Sequence, residues 1–148
     1  MLKETPKASG ELKIVLRDEK GNIKDERQVK NLVVTTGVNY IADRMAYAAE
    51  SAMSHMAVGT GSTAAAAGDT ALGTESARVS LDSTTQTNED VVYVATFGAG
   101  TGTAALTEAG ILNAASGGTM LCRTVFSTIN KGASDSLEIT WTITISAS

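Results

Sequence analysis

Few side chains in this sequence could do catalytic or metal chemistry. Its single histidine is His55 and its single cysteine is Cys122. A metal site, or a Cys–His or Ser–His nucleophile, needs several such groups at defined spacing, and the stretches around these two residues do not supply them. Cys122 follows Leu121 in an apolar stretch, so we interpret it as a small buried hydrophobe. We therefore expect no catalytic residue, no metal ligand and no cofactor, and no enzyme activity.

Two glycine-rich stretches follow predicted strands and could be taken for phosphate-binding loops. Residues 59–61 are not followed by the Lys-Ser/Thr pair of a P-loop. Residues 98–102 lack the third-glycine spacing of a dinucleotide-binding fingerprint, and the alternating helices of that fold are missing. We interpret both stretches as connecting loops, and the nearby carboxylates of Asp69, Glu89 and Asp90 as solvated loop charges.

Four residues are candidates for a structural role. Arg78, Glu108 and Arg123 each lie within or beside a predicted strand, in stretches that otherwise carry little charge. We predict that Glu108 pairs with Arg78 or with Arg123, at least partly buried, and fixes how the strands meet. The alternative is that all three side chains are solvated. The fourth candidate is Trp141, the only tryptophan, which we place in the core.

The elements that must position these residues are mostly strands. Apolar residues alternate with polar ones over 137–145, the period of a strand with one buried and one wet face. Residues 120–129 supply a partner strand through a turn-rich loop at 130–135. Further strands are predicted at 11–18, 23–34, 53–61, 75–81 and 91–97, the last of them central and buried. Residues 104–113 fit a strand better than a short helix, and 62–73 and 83–90 are predicted loops.

One amphipathic helix is predicted over residues 37–50, with an N-cap in the Thr-Thr-Gly sequence before it. Val38, Ile41, Ala42, Met45 and Ala49 recur at helical spacing and form its predicted buried stripe. The fold class is therefore all-β, an antiparallel β-sandwich or jelly-roll-like domain with one short helix. We assign a single domain to residues 11–148.

Residues 1–10 are predicted to be an extended arm. They hold the only proline and almost no apolar surface, so a partner must supply contacts that order them. We expect the arm to lie on a neighbouring subunit, and the rival is that it folds back along its own hairpin. The candidate partner contacts are Leu2, Lys3, Glu4, Pro6 and Lys7.

Charge and composition exclude several classes of partner. Residues 1–31 hold eight of the 12 basic and six of the 16 acidic side chains, which leaves the body of the chain acidic. An acidic body poor in aromatic residues does not suit a nucleic acid. The sequence has no apolar run long enough for a membrane helix and no apolar core of a signal peptide near Met1. We expect synthesis in a cytoplasm and no membrane partner.

Several motifs carry a family resemblance. They are HMAVGTG at 55–61, DTALGTESAR at 69–78, LTEAGILN at 106–113, GGTMLCRTVF at 117–126 and WTITI at 141–145. Together they resemble the small virion structural proteins of tailed bacteriophages. The resemblance covers about residues 30–146 and leaves the N-terminal hairpin outside it.

The resemblance implies a β-sandwich or jelly-roll-like module without catalysis. The first expectation is a capsid decoration or cement protein that contacts the major capsid protein, acts as a homo-oligomer and is located in the virion. The second is a tail, baseplate or fibre-anchoring protein in contact with other tail proteins. A host-surface or glycan-binding module is the third.

Overall fold

The alternating sequence patterns fold into nine strands and one helix, which we describe in a computed structural model for residues 6–147. In chain order the elements are β1 (Lys7–Arg17), β2 (Ile23–Val33), α1 (Thr35–Ala46), β3 (His55–Gly59), β4 (Glu75–Ser80), β5 (Ser83–Thr87), β6 (Asp90–Phe97), β7 (Ala104–Leu112), β8 (Met120–Lys131) and β9 (Ser136–Ser146). Every strand pair is antiparallel. The predicted all-β fold with one helix is confirmed.

Hydrogen bonding runs through all nine strands in the order β4-β3-β7-β8-β2-β1-β9-β6-β5. The predicted sandwich of two separate layers is therefore not what the strand pairing shows. The joint in the middle is narrow, because β2 pairs with β8 only through Leu32 with Arg123 and Val33 with Cys122. The sheet curls about this joint until β4 contacts β6. Its two halves enclose one main core.

The core lies on the concave side of the curled sheet. Alternate residues of β9 point into it, and Leu137, Ile139 and Trp141 are completely buried. Trp141 lies between Leu12 of β1 and Tyr93 of β6 in the strand register. The predicted inward face of this strand is confirmed as far as Ile143, whereas Ile145 is partly exposed at the open end of the sheet.

Strand β1 begins earlier than the sequence predicts. Lys7 pairs with Ser146 and Gly10 with Ile143, so residues 7–10 extend the ladder between β1 and β9. The predicted boundary at residue 11 is wrong for this reason, and these four residues follow the rival reading in which the segment folds back on its own sheet. Pro6 is exposed just before the strand. Leu2, Lys3 and Glu4 lie outside the described residues.

Two other predicted elements differ from the structure. Residues 83–87, predicted as loop, form β5 and pair with β6. Polar Ser, Thr and Gln residues give no alternation of apolar and polar side chains, so the pattern conceals this strand. Strand β6 is second from the edge of the sheet and not central. The face that carries Tyr93 and Phe97 is more buried than the face that carries Val92 and Thr96.

The helix occupies residues 35–46, so it begins and ends earlier than predicted, and it turns a different face to the core. Val34 is its N-cap, with no side-chain cap, and Thr36 Oγ1 instead donates to the Met120 carbonyl at 2.8 Å. Gly37 and Tyr40 are buried, whereas Val38 and Met45 of the predicted buried stripe are exposed. A Cβ at Gly37 would overlap the Leu121 carbonyl oxygen, so glycine lets this edge of the helix approach β8.

The register of β9 can be tested by two neighbouring substitutions. We expect Ile139→Ala to lower the free energy of unfolding by about 2–5 kcal/mol, because Ile139 is completely buried and the change leaves a cavity. Glu138→Ala, on the exposed face, should change it by less than about 0.5 kcal/mol. Urea unfolding followed by the fluorescence of Trp141 measures both. Equal losses in the two variants would contradict the register.

Candidate functional site

A buried carboxylate lies where β3, β7 and β8 meet. Glu108 of β7 is completely buried, opposite Gly59 of β3 and Val125 of β8. An irregularity in the ladder between Leu106 and Glu108 sets the register at this point. A buried carboxylate costs several kcal/mol unless donors replace its hydration, so its hydrogen-bond partners decide its role.

Three backbone amides and one guanidinium satisfy Glu108. Its Oε2 accepts from the N–H groups of Gly61 and Thr74, both at 2.7 Å. Its Oε1 accepts from the Gly73 N–H at 2.7 Å and from Nε and Nη2 of Arg123 at 3.2 and 3.0 Å. All three amides belong to the two ends of the loop between β3 and β4. Glu108 therefore ties that loop to β7.

Arg123 of β8 extends the same network along the loop. It is nearly as buried as Glu108, and its Nη1 donates to Asp69 Oδ2 at 2.8 Å. Its Nη2 also donates to the Thr63 carbonyl at 2.9 Å. Asp69 in turn accepts from the Ala66 N–H at 2.9 Å. The predicted surface loop is thus anchored to the sheet at several points, and the interpretation of Asp69 as a solvated charge is wrong.

Two glycines, Gly59 and Gly61, let the chain pack closely around the Glu108 carboxylate because they have no side chain. A Cβ at Gly61 would overlap the Glu108 carboxylate, and a Cβ at Gly59 would overlap the Thr74 carbonyl oxygen. Thr107 adds a bond from the strand side, since its Oγ1 donates to the Gly61 carbonyl at 2.7 Å. The glycine-rich stretch after β3 is therefore a close-packed connection around Glu108.

The hydrogen bonds keep Glu108 ionised despite its burial. Burial alone raises the pKa of this carboxyl, but donation by Thr74, Gly73, Gly61 and Arg123 outweighs it and leaves the pKa below its ordinary value. A lowered folded-state pKa stabilises the protein above the ordinary pKa of glutamate, about 4.3. That stabilisation is lost as the pH falls through the folded-state value.

Arg78 takes no part in this cluster. It pairs instead with Glu75 on β4, Nη2 to Oε1 at 2.7 Å, and its Nη1 donates to the carbonyls of Ala114 and Gly117 at 2.9 and 2.8 Å. Of the two pairings that the sequence allows for Glu108, the structure contains the one with Arg123. Trp141 is completely buried in the main core, away from solvent.

Two further buried charged residues, Lys131 and Asp135, lie in the hairpin between β8 and β9. Lys131 Nζ donates to the Gly98 carbonyl at 2.9 Å, and burial lowers the pKa of this lysine. Asp135 accepts from Lys24 Nζ and from the Gly132 N–H, both at 2.7 Å. No pattern in the sequence marks these residues, because charges in a predicted hairpin loop usually face water.

His55 and Cys122 do not form a site with each other. Ser54 Oγ lies 2.7 Å from His55 Nδ1, a contact between chain neighbours, and Cys122 is fully buried in the main core, beside the Asn31 side chain. Burial raises the pKa of the Cys122 thiol, so it stays protonated. Within residues 6–147, the His, Cys, Asp and Glu side chains form no group of three that could hold a metal ion.

The described part of the chain also has no helix long and apolar enough to cross a membrane.

Several of the most exposed apolar side chains lie on or just after α1. Met45 and Tyr47 are each 84% exposed and Val38 is 51% exposed. Beside them, a groove of about 340 Å³ runs between α1 and strands β6 and β9, and its apolar lining includes Ile41 and Ile145. We call Val38, Met45, Tyr47 and Ile145 the α1 patch. Helix α1 carries apolar residues on both of its sides. Because Tyr40 faces the core, Val38 and Met45 on the other side of the helix stay exposed.

No protein-family model, curated protein or solved structure matches this chain.

The role of Glu108 can be tested by removing its carboxylate. We expect Glu108→Ala to lower the free energy of unfolding by about 3–5 kcal/mol, because Arg123 and three amides lose their acceptor. Glu75→Ala is the matched control, since it removes the partner of Arg78 in a more exposed pair, worth about 0–1 kcal/mol. Urea unfolding measures both. A loss below about 0.5 kcal/mol at Glu108 would show that the cluster carries no stability.

Proposed function

We propose that this chain is a non-enzymatic binding protein that docks onto another protein through the α1 patch. The observation that carries the proposal is the exposure of Met45 and Tyr47, on and just after a helix whose other side is buried. Large apolar side chains that protrude together beside an apolar groove are typical of protein contact surfaces. Methionine and tyrosine are also enriched at such interfaces.

The chemistry of the groove indicates the kind of partner. Ile41, Val91 and Ile145 line it, and Arg44 is its one charged lining residue. An apolar side chain of the partner would enter between α1 and β9, where Met45 also lines the groove. Burial of each large apolar side chain would contribute about 1.5–3 kcal/mol before the costs of association.

The charged clusters support a scaffold rather than a reacting site. Glu108 and Arg123 are buried and hydrogen-bonded to the chain itself, so neither can approach a substrate from solvent. Lys131 is likewise buried against the Gly98 carbonyl. These groups hold loops and strand ends in place, which suits a protein whose function depends on surface shape.

The assembly that we propose is based on the sequence resemblance to virion proteins of tailed bacteriophages. Our first candidate is capsid decoration: copies of the chain bind the major capsid protein on the head shell. A repeated lattice lets many modest contacts add up, so one small apolar patch per copy can suffice. Our second candidate is a tail, baseplate or fibre-anchoring protein, in which the patch binds another tail protein.

The test is to locate the chain in the assembled particle. Cryo-EM of the phage that encodes it should show density for the nine-stranded domain on the head shell, with α1 facing the shell. Density in the tail would favour the second candidate. Particles that lack the chain would contradict a virion role and leave a host-surface or glycan-binding module as the remaining expectation.

The α1 patch can be tested separately from location. We expect Met45→Glu to lower occupancy on particles stripped of the chain by at least about tenfold, because the partner's apolar surface would have to bury a charge. Its melting temperature should stay unchanged, since Met45 is exposed. Ser76→Glu, an equal charge change on exposed β4, should bind like the parent chain. Binding retained by Met45→Glu would rule out the patch as the docking surface.

A further inference from the structure

Strand β5 lies at one edge of the nine-stranded sheet. It is the last strand of the sheet and pairs only with β6, and residues 6–147 place no strand on its other side. All five of its side chains, Ser-Thr-Thr-Gln-Thr, are exposed. Unpaired edge strands are ready templates for another strand, so proteins usually protect them.

The opposite edge of the sheet shows such protection. Strand β4 carries Glu75 and Arg78, and its ladder with β3 is irregular between Val58 and Gly59. Charges and irregularities of this kind discourage further pairing. Strand β5 has no charged residue, no proline and a regular register from Ser83 to Thr87. The β4 edge is therefore protected against pairing with a further strand, whereas the β5 edge is not.

The register shows which backbone groups of β5 point outward. Thr87 and Asp90 pair across a two-residue turn, and the Glu89 carbonyl accepts from the Ile145 N–H of β9 at 2.9 Å. Backbone groups alternate in direction along a strand, so those of Asp90 face β5. Ser83, Thr85 and Thr87 then bond to β6. The N–H and C=O groups of Thr84 and Gln86 are left on the free edge.

We propose that β5 pairs with β5 of a second copy, antiparallel, about a two-fold axis at Thr85. This register sets Thr84 opposite Gln86 of the second copy, and Gln86 opposite its Thr84. The N–H and C=O groups of Thr84 on one strand then face those of Gln86 on the other, so each such pair can form two hydrogen bonds. Ser83 faces Thr87 of the second copy, and Thr85 faces its own equivalent.

A second copy suits this edge for two reasons. A two-fold axis requires the backbone groups on the free edge to be placed symmetrically about it. Thr84 and Gln86, which carry those groups, lie one residue before and one residue after Thr85. Paired residues would also all be uncharged Ser, Thr or Gln, so self-pairing brings no like charges face to face. The inference does not rest on the proposed docking by the α1 patch, because it uses only the backbone edge of β5.

Sedimentation velocity over a range of concentrations tests the proposal on the full chain. We expect the wild-type chain to dimerise, and Thr85→Lys to raise the dissociation constant by up to about fivefold, because two lysines would face each other at the axis. Thr85→Glu should do the same. Mixing the two variants should restore dimers, now with opposite charges paired. Ser76→Lys on β4 should dimerise like the wild type.

Oxidative crosslinking gives an independent readout of the axis. Cys122 is fully buried, so Thr85→Cys adds the one accessible thiol among the described residues. Directly opposed residues outside a hydrogen-bonded pair lie about 4.5 Å apart at Cα, within disulfide range. We expect a crosslinked dimer from Thr85→Cys and none from Ser76→Cys.

Several results would overturn the proposal. One is a wild-type chain that stays monomeric at every concentration. Another is a dimer that Thr85→Lys leaves intact, which would place the contact elsewhere. A chain that dimerises only after deletion of residues 1–5 would show that its own N-terminal segment occupies the β5 edge.

Discussion

A buried carboxylate must be fully hydrogen-bonded, and this requirement determines one whole side of the molecule. Glu108 accepts from both ends of the loop between β3 and β4 and from Arg123, which in turn holds the middle of the loop at Thr63 and Asp69. Without these donors the charge would cost several kcal/mol to bury. The loop therefore supplies most of the donors that keep the buried carboxylate ionised.

The same cluster defines the edge of the sheet. Strand β4 begins directly after Thr74, whose amide Glu108 holds, and it returns along β3 to contact β6. The end of this loop therefore lies directly before the edge strand β4. Part of the exposed apolar surface lies beside α1, at Met45 and Ile145, which line one groove. Our functional proposal follows from this distribution of surface.

Much of the fold was predictable from alternation, because one wet and one buried face leave a period of two in the sequence. That signal identified β9 and β1 and placed Trp141 inside. It failed at β5, where both faces are polar and exposed. It also failed to choose the buried side of α1, because the close approach of Gly37 to Leu121 depends on tertiary packing. The continuity of hydrogen bonding through all nine strands depends on two residue pairs between β2 and β8 that no local pattern indicates.

The candidate site was predictable only in part. Isolated charges in apolar strands pointed to Glu108, Arg123 and Arg78, but the sequence could not choose between the two arginines. Asp69 and the amides of the loop gave no signal, because a loop rich in alanine, glycine and threonine resembles a solvated one. Three of the groups that donate to Glu108 are backbone N–H groups. The types of the side chains in a sequence do not indicate where such backbone donors will point.

Amide hydrogen exchange tests the central claim, that Glu108 makes this loop part of the core. The amides of Gly61, Gly73 and Thr74 should exchange at least about a hundredfold more slowly than the exposed Gly68 of the same loop, since they open only with the cluster. In Glu108→Ala the three should become as fast as Gly68. Fast exchange at all four amides in the wild-type chain would contradict the account.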